Sequence, residues 1–175
     1  NKPYTPTPYF ALLRQAQHET AHSITNCALA VTNDLVESYE QDNIHPAKKK
    51  EVGDRLAYLA LNRDYGFTSI PCYSPEAVKC VSMAGGSGIG VELTNCRNGI
   101  NRWMEIEGLE VAGSEGIFYP VTYAYFEGDP KVLRIRCDKV WDPCEVRYGW
   151  GDFNPGNLKN SDGMPVAPFW VKLEK

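Results

Sequence analysis

Past Gly66 the chain is written in short runs of valine, isoleucine and aromatic residues separated by glycine turns, and this texture limits the fold more than any other feature. Runs this short cannot make helices of ordinary length, but they suit strands joined by tight turns. Strands are expected at 78–83, 88–94, 104–112, 117–126, 131–137 and 144–149. Gly85-Gly86, Asn98-Gly99, Gly113, Gly116, Gly128 and Asp142-Pro143 supply the turns between them. Many short strands at close spacing predict an antiparallel sandwich or barrel-like unit. The tail from Gly149 to Phe169 is rich in Gly, Asn and Pro but carries Trp150, Phe153, Leu158 and Phe169, so it reads as an ordered loop packed on the strands.

The first part reads differently. Pro3, Pro6 and Pro8 block helix at the start and predict a loop or extended arm. A short helix follows from Phe10 to about Ser23, with Leu12, Leu13 and Ala16 on one side. The apolar run 27–32 is expected as a buried strand, and residues 33–43 as an acidic loop. Pro46 then opens a helix with Val52, Leu56, Leu59 and Ala60 as its stripe and Gly66 as its stop. Gly53 inside that helix predicts close packing against a sheet. Strand, polar loop and helix form half of an α/β unit, whose active loops lie at the strand ends. The expected fold class is therefore α/β in residues 1–70, followed by a β-rich accessory domain in 71–175.

Composition narrows the function. A net charge of −4, with no basic block beyond Lys48, Lys49 and Lys50, argues against nucleic acid as a partner. No run reaches the length of a membrane span. The chain opens on Asn1 without a signal-peptide pattern, which fits a processed subunit, a proteolytic fragment or a shortened form. The even number of cysteines permits disulfides in an exported, oxidising setting (secreted, periplasmic or lysosomal), with buried free thiols as the alternative. Cys72 with Cys80, and Cys137 with Cys144, are the nearest pairs, and Cys137–Cys144 is the bridge expected first. No metal site is expected. The cysteine spacings fit no zinc knuckle, and His18 and His22, four apart on a predicted helix, have no third ligand in view.

The sharpest local feature is Asp42-Asn43-Ile44-His45-Pro46. An acid and a histidine three apart, in a loop before a helix, can supply two members of a hydrolase triad. The carboxylate fixes the imidazole tautomer, and the other ring nitrogen takes the nucleophile's proton. A helix amino terminus beside His45 would favour the neutral base. A plain loop-capping interaction is the alternative.

The wider sequence around this feature resembles a known family. DNIHPAKKKEVGDRLAYLAL, with Asp42, His45, Pro46, Lys49 or Lys50, Gly53, Arg55, Leu56 and Ala57, is similar to the last block of the sialate O-acetylesterase and acetylxylan esterase group of the SGNH hydrolase superfamily. NCALAVTNDL and LLRQAQ resemble the strand and helix leading to that block. VRYGWGDFNPGNLKNSDGMPVAPFW is similar to the family's closing stretch, so the resemblance covers nearly the whole chain. It implies the C-terminal part of a flavodoxin-like hydrolase domain with an appended β-sandwich. It also implies an O-acetylated sugar as substrate, no cofactor, His45 as general base, and Asp42 as its orienting acid, with Asp34 as the rival carboxylate. Asp34 otherwise reads as an acceptor that fixes its loop, and Arg55 as a scaffold residue that pairs with a loop carboxylate.

In the family a serine in a Gly-Asp-Ser block attacks the acetyl carbonyl, with a glycine N–H and an asparagine side chain completing the oxyanion hole. This sequence has no Gly-Asp-Ser: Gly53-Asp54, Gly128-Asp129 and Gly151-Asp152 all continue with other residues. The resemblance therefore implies that a serine-bearing N-terminal segment or second chain supplies the nucleophile, and some animal members are described as cleaved into two subunits. Trp150, Phe153, Asn157 and Asn160 are candidates to contact sugar, since aromatics stack on sugar faces and amides bind hydroxyls. Their alternative is to cover the sheet edge. Tyr148 and Trp141 are expected in the core. A non-catalytic carbohydrate-binding or structural module is the competing function.

Overall fold

The computed structural model describes residues 8–83, 88–96, 99–101, 104–126 and 131–174. The start of the proline-rich arm and the turns at Gly85-Gly86, Asn98 and Gly128 lie outside them. Two helices, α1 (Tyr9–Ser23) and α2 (Lys49–Arg63), flank two 3-10 turns at Asn33–Leu35 and Ser38–Glu40. Eight strands follow: β1 (Ala77–Ser82), β2 (Ile89–Leu93), β3 (Leu109–Ala112), β4 (Phe118–Pro120), β5 (Tyr123–Phe126), β6 (Val132–Arg136), β7 (Glu145–Tyr148) and β8 (Phe169–Lys172).

The strands form two four-stranded sheets, β1-β2-β6-β5 and β4-β3-β7-β8, with every pairing antiparallel. Alternation sets their faces. In β6, Leu133 and Ile135 are buried while Val132 and Arg134 are only half-buried; in β7, Val146 and Tyr148 alternate with Glu145 and Arg147. Inner side chains from both sheets meet in one core with Cys80, Ile89, Val91, Val111, Leu158 and Val166, as expected for a sandwich. On the outer face, Glu110 and Arg147 sit opposite each other across β3 and β7. The Arg147 Nε donates to Glu110 Oε2 at 2.7 Å, and its guanidinium lies 3.9 Å over the Phe118 ring.

The closing tail is ordered and locked to the core. The Leu158 N–H donates to the buried Tyr148 hydroxyl at 2.8 Å. Gly156 (φ 62°) passes so close that any side chain there would overlap the Tyr148 ring. The expected run 117–126 is broken into β4 and β5, which join different sheets. β8, which the sequence pattern does not pick out, pairs with β7 through residues 169–172.

Several expectations are corrected. Residues 27–32 belong to neither sheet. A strand needs a neighbouring backbone, and here arginine side chains of α2 take the carbonyls instead: Arg63 Nη1 donates to Cys27 O at 2.7 Å and Arg55 Nη1 to Val31 O at 2.5 Å. Helix α2 starts at Lys49, not at Pro46, because the Ala47 N–H is held by the Glu40 carboxylate at 2.8 Å and keeps residues 45–47 in the loop. Gly53 faces open space, with nothing within 4 Å of where a Cβ would stand, so close packing is not its reason. Helix α2 ends at Arg63 with Asp64 as its cap, and Gly66 turns the chain in the left-handed region (φ 77°) two residues beyond. Trp141 is 96% exposed rather than in the core, whereas Tyr148 is buried.

No disulfide forms. None of the six cysteines is bridged to another. Cys137 follows β6 of one sheet, with its Sγ on the Pro120 carbonyl at 3.5 Å. Cys144 leads into β7 of the other, with its backbone tied to Ala112 and Leu173. Their proximity in sequence thus ends on different sheets. Cys80 is buried in the core on β1, while Cys72 lies in the connection before it. Burial, and then the neighbouring Cys144, push the Cys80 thiol up to about 12, so it stays protonated and inert. No helix among the described residues is long and apolar enough to cross a membrane.

Candidate functional site

The loop bearing Asp42 and His45 is built around a buried carboxylate. Glu40, 4% exposed, accepts from the Glu37 N–H at 3.1 Å and from the Ala47 N–H at 2.8 Å. Those backbone donors hold its pKa below the usual carboxylate range. The residues between are folded into a tight turn. Asn43 N–H donates to Glu40 O at 2.7 Å, the His45 N–H to Asn43 Oδ1 at 2.9 Å, and Asn43 Nδ2 to His45 O at 3.0 Å. The signal for Glu40 was present in the sequence as Glu37-x-x-Glu40, a capping-box spacing.

Asp42 and His45 lie on this turn, both exposed. Among the described residues, no hydrogen bond or ion pair joins either His45 ring nitrogen to a carboxylate, Asp42 included. His45 lies four residues before Lys49, the first residue of α2, rather than at the helix start.

Asp34 is placed very differently. Its side chain is 6% exposed and grips the Arg55 guanidinium in two parallel bonds, Nη1 to Oδ1 at 2.6 Å and Nη2 to Oδ2 at 2.8 Å. Lys159 Nζ reaches Oδ2 at 2.8 Å from the closing tail. Burial pushes the Asp34 carboxyl up, but hydrogen bonds from Arg55 and Lys159 outweigh it and leave the pKa below normal. Asp34 thereby ties the loop, α2 and the tail together.

A depression of about 210 Å³ opens between α1, the 33–43 loop and the 152–155 turn. Phe10, Asn43, Asp152 and Phe153 line it, and neither Asp42 nor His45 does. Of the other sugar-contact candidates, Asn157 spends its amide on Glu105 O (2.6 Å) and on the Glu107 N–H (3.0 Å). Asn160 spends its own on Asn95 O, Asp162 N–H and Met164 N–H. Trp150 is buried edge-on against Trp170, 5.2 Å between ring centres. Only Phe153 among the four lines the depression, and Trp141, expected in the core, is instead one of several exposed aromatics.

Helix α1 is fastened to the tail by polar contacts. Arg14 Nη2 donates to Gly149 O at 3.2 Å and Gly151 O at 2.5 Å, and the Phe10 N–H to Asp152 Oδ1 at 3.0 Å.

Neither a family model nor a curated protein sequence matches the chain. Among solved structures, a carbohydrate acetylesterase from Xanthomonas citri superposes over 95% of this chain with a TM-score of 0.80 and 29% identity. Two surface layer protein structures align at TM-scores of 0.46 and 0.45 with 11% and 10% identity, too weak a likeness to bear on function. The acetylesterase match takes in the helical region and both antiparallel sheets, and it spans only 37% of that protein's chain. This chain is thus a distant structural relative of one part of a carbohydrate acetylesterase.

Proposed function

We propose that this chain alone is a non-catalytic module, a β-sandwich that braces a base-bearing loop, and that it takes part in carbohydrate O-acetyl hydrolysis only beside a serine-bearing N-terminal segment or second chain. The likeness to just over a third of an acetylesterase carries this reading. The absence of a Gly-Asp-Ser block and the unpaired ring of His45 support it. In the assembly, His45 takes the serine proton during acylation, then activates the water that hydrolyses the acetyl-enzyme. Asp42 orients it once the loop closes on the partner, since catalytic hydrogen bonds often tighten only in the working complex. Asp34, committed to Arg55 and Lys159, braces the loop.

Acetate release from an O-acetylated sugar by the native preparation, whose intact mass reveals any accompanying serine-bearing chain, tests this. Replacing His45 with Ala should lower turnover by about a thousandfold, the range of general-base loss, with folding unchanged. Unaltered turnover would remove His45 from the mechanism.

A second reading, sugar binding by the sandwich, is favoured by Trp141, whose indole is 96% exposed and free to stack on a sugar face. Quenching of tryptophan fluorescence by an acetylated oligosaccharide, lost on Trp141→Ala, would support it. Quenching that survives the change would place binding elsewhere.

A further inference from the structure

His18 and His22 lie one turn apart on α1, and the fold brings Glu76, just before β1, against both. Glu76 Oε2 stands 2.9 Å from His22 Nε2 and 3.4 Å from His18 Nε2. The donor atoms of the three residues all lie within 4.8 Å of one another. We propose that His18, His22 and Glu76 form a binding site for a divalent transition-metal ion of the zinc type, which clamps α1 to the entry of the sandwich.

Three features carry the assignment. The first is spacing. Tetrahedral zinc with ligands at 2.0–2.1 Å places those ligands about 3.3 Å apart, and the two nitrogen–oxygen distances bracket that value. The second is orientation. The His22 Nδ1 sits 2.9 Å from the His18 carbonyl, so Nδ1 carries the proton and donates it there. Nε2 then faces Glu76 Oε2 and gives up its proton when an ion binds, the arrangement that typically orients a metal-bound imidazole. The third is rigidity on both sides. Both histidines ride on one helix, and the backbone of Glu76 is held by the Thr94 N–H at 2.8 Å beside the first sheet.

The donor set selects the ion. Two imidazoles and one carboxylate suit zinc, cobalt or nickel, whereas calcium and magnesium want oxygen ligands throughout. Once ligation has removed any Nε2 proton, two imidazoles and one carboxylate carry a net negative charge, which favours a cation. His22 is half-exposed, leaving a fourth position for water. The segment His18-Glu19-Thr20-Ala21-His22 has the His-Glu-x-x-His spacing of zinc-binding helices. The third ligand is distant in sequence, so only the fold completes the set. The Glu19 carboxylate accepts from Gln15 Nε2 at 2.8 Å and is not counted as a ligand.

The test uses the purified 175-residue chain, freed of metal by chelator and titrated with zinc and then with cobalt. One equivalent of zinc should bind and raise the melting temperature. Cobalt should give the visible bands of a nitrogen–oxygen site without the ultraviolet thiolate charge-transfer band that the free cysteines would produce. Glu76→Gln, which keeps the side chain's size, and His22→Ala, at an exposed position, should each weaken binding by about a hundredfold. His45→Ala should leave it unchanged. No binding would overturn the site and reduce the cluster to a histidine–glutamate ion pair. Binding that survives both variants, or that shows the thiolate band, would overturn it equally. Because His45 and acetate release play no part, failure here is independent of the proposed function.

Discussion

The sandwich draws its buried core from both sheets and from the closing tail, whereas the helical segment before it buries, among its described apolar side chains, only Ala11, Val31, Leu35 and Leu59. The segment leaves Tyr9, Phe10, Leu13, Ile44 and Leu56 largely exposed. It is held down instead by directional polar ties: Arg14 to the tail carbonyls, Arg55 and Lys159 to Asp34, Arg63 to Cys27 and Glu76 to the two histidines. Apolar burial is non-directional and grows with area, so the sandwich can stand on its own core. A region secured by a few charged contacts depends on each of them, and such regions open locally before the whole molecule unfolds.

Mutations can break this contrast. The largest effect is expected in the sandwich. Leu133→Ala empties a fully buried position in β6 and should cost about 2–5 kcal/mol, seen as a lower midpoint for the entire unfolding transition. Leu13→Ala on the exposed side of α1 should stay within about 0.5 kcal/mol. A Leu13 cost as large as that of Leu133 would mean that the helical segment is packed like the core.

Arg55→Ala should cost about 3 kcal/mol. It strips the buried Asp34 of its bidentate partner and Val31 of its carbonyl donor, leaving only Lys159. Hydrogen exchange should rise across the 33–43 loop and α2 while β2, β6 and β7 keep their protection. Uniform loss of protection would show that the two regions unfold as one unit.

Acid should act in the same place with a smaller effect. The folded pKa of Asp34 lies below its unfolded value, so its contribution is complete above the ordinary carboxylate range and is lost as pH falls through the folded value. Exchange followed from neutral pH downward should show the loop and α2 loosening before the sheets. Asp34→Asn should remove most of that pH dependence, with Glu40, whose pKa is also held low, carrying the rest. If the acid-induced loosening persists undiminished in the variant, another carboxylate governs it.

What the sequence disclosed follows the same division. Strands with strict alternation, such as 132–136 and 145–148, were legible because each inward side chain meets one shared core. The run 27–32 misled, since its apolar character matches a buried strand while its carbonyls are taken by two arginines further along the chain. Cysteine spacing misled because a short loop can cross from one sheet to the other, as 137–144 does. At the site, Asp42 and His45 stood out as a motif, yet their loop is shaped by Glu40, whose buried bonds to backbone N–H groups no composition count reveals. Asn157 and Asn160 carry the right chemistry for sugar, but the tail uses their amides to fix its own backbone. Glu76 escaped notice because only folding brings it to His18 and His22.

Acetate release from an O-acetylated sugar by this chain purified alone is the most direct test of the account. With His45 unpaired on an exposed turn and no Gly-Asp-Ser block in the sequence, the chain should release acetate no faster than a His45→Ala variant does. Turnover well above that variant, in a preparation whose mass shows no second polypeptide, would mean that the chain holds its own nucleophile and would contradict the account.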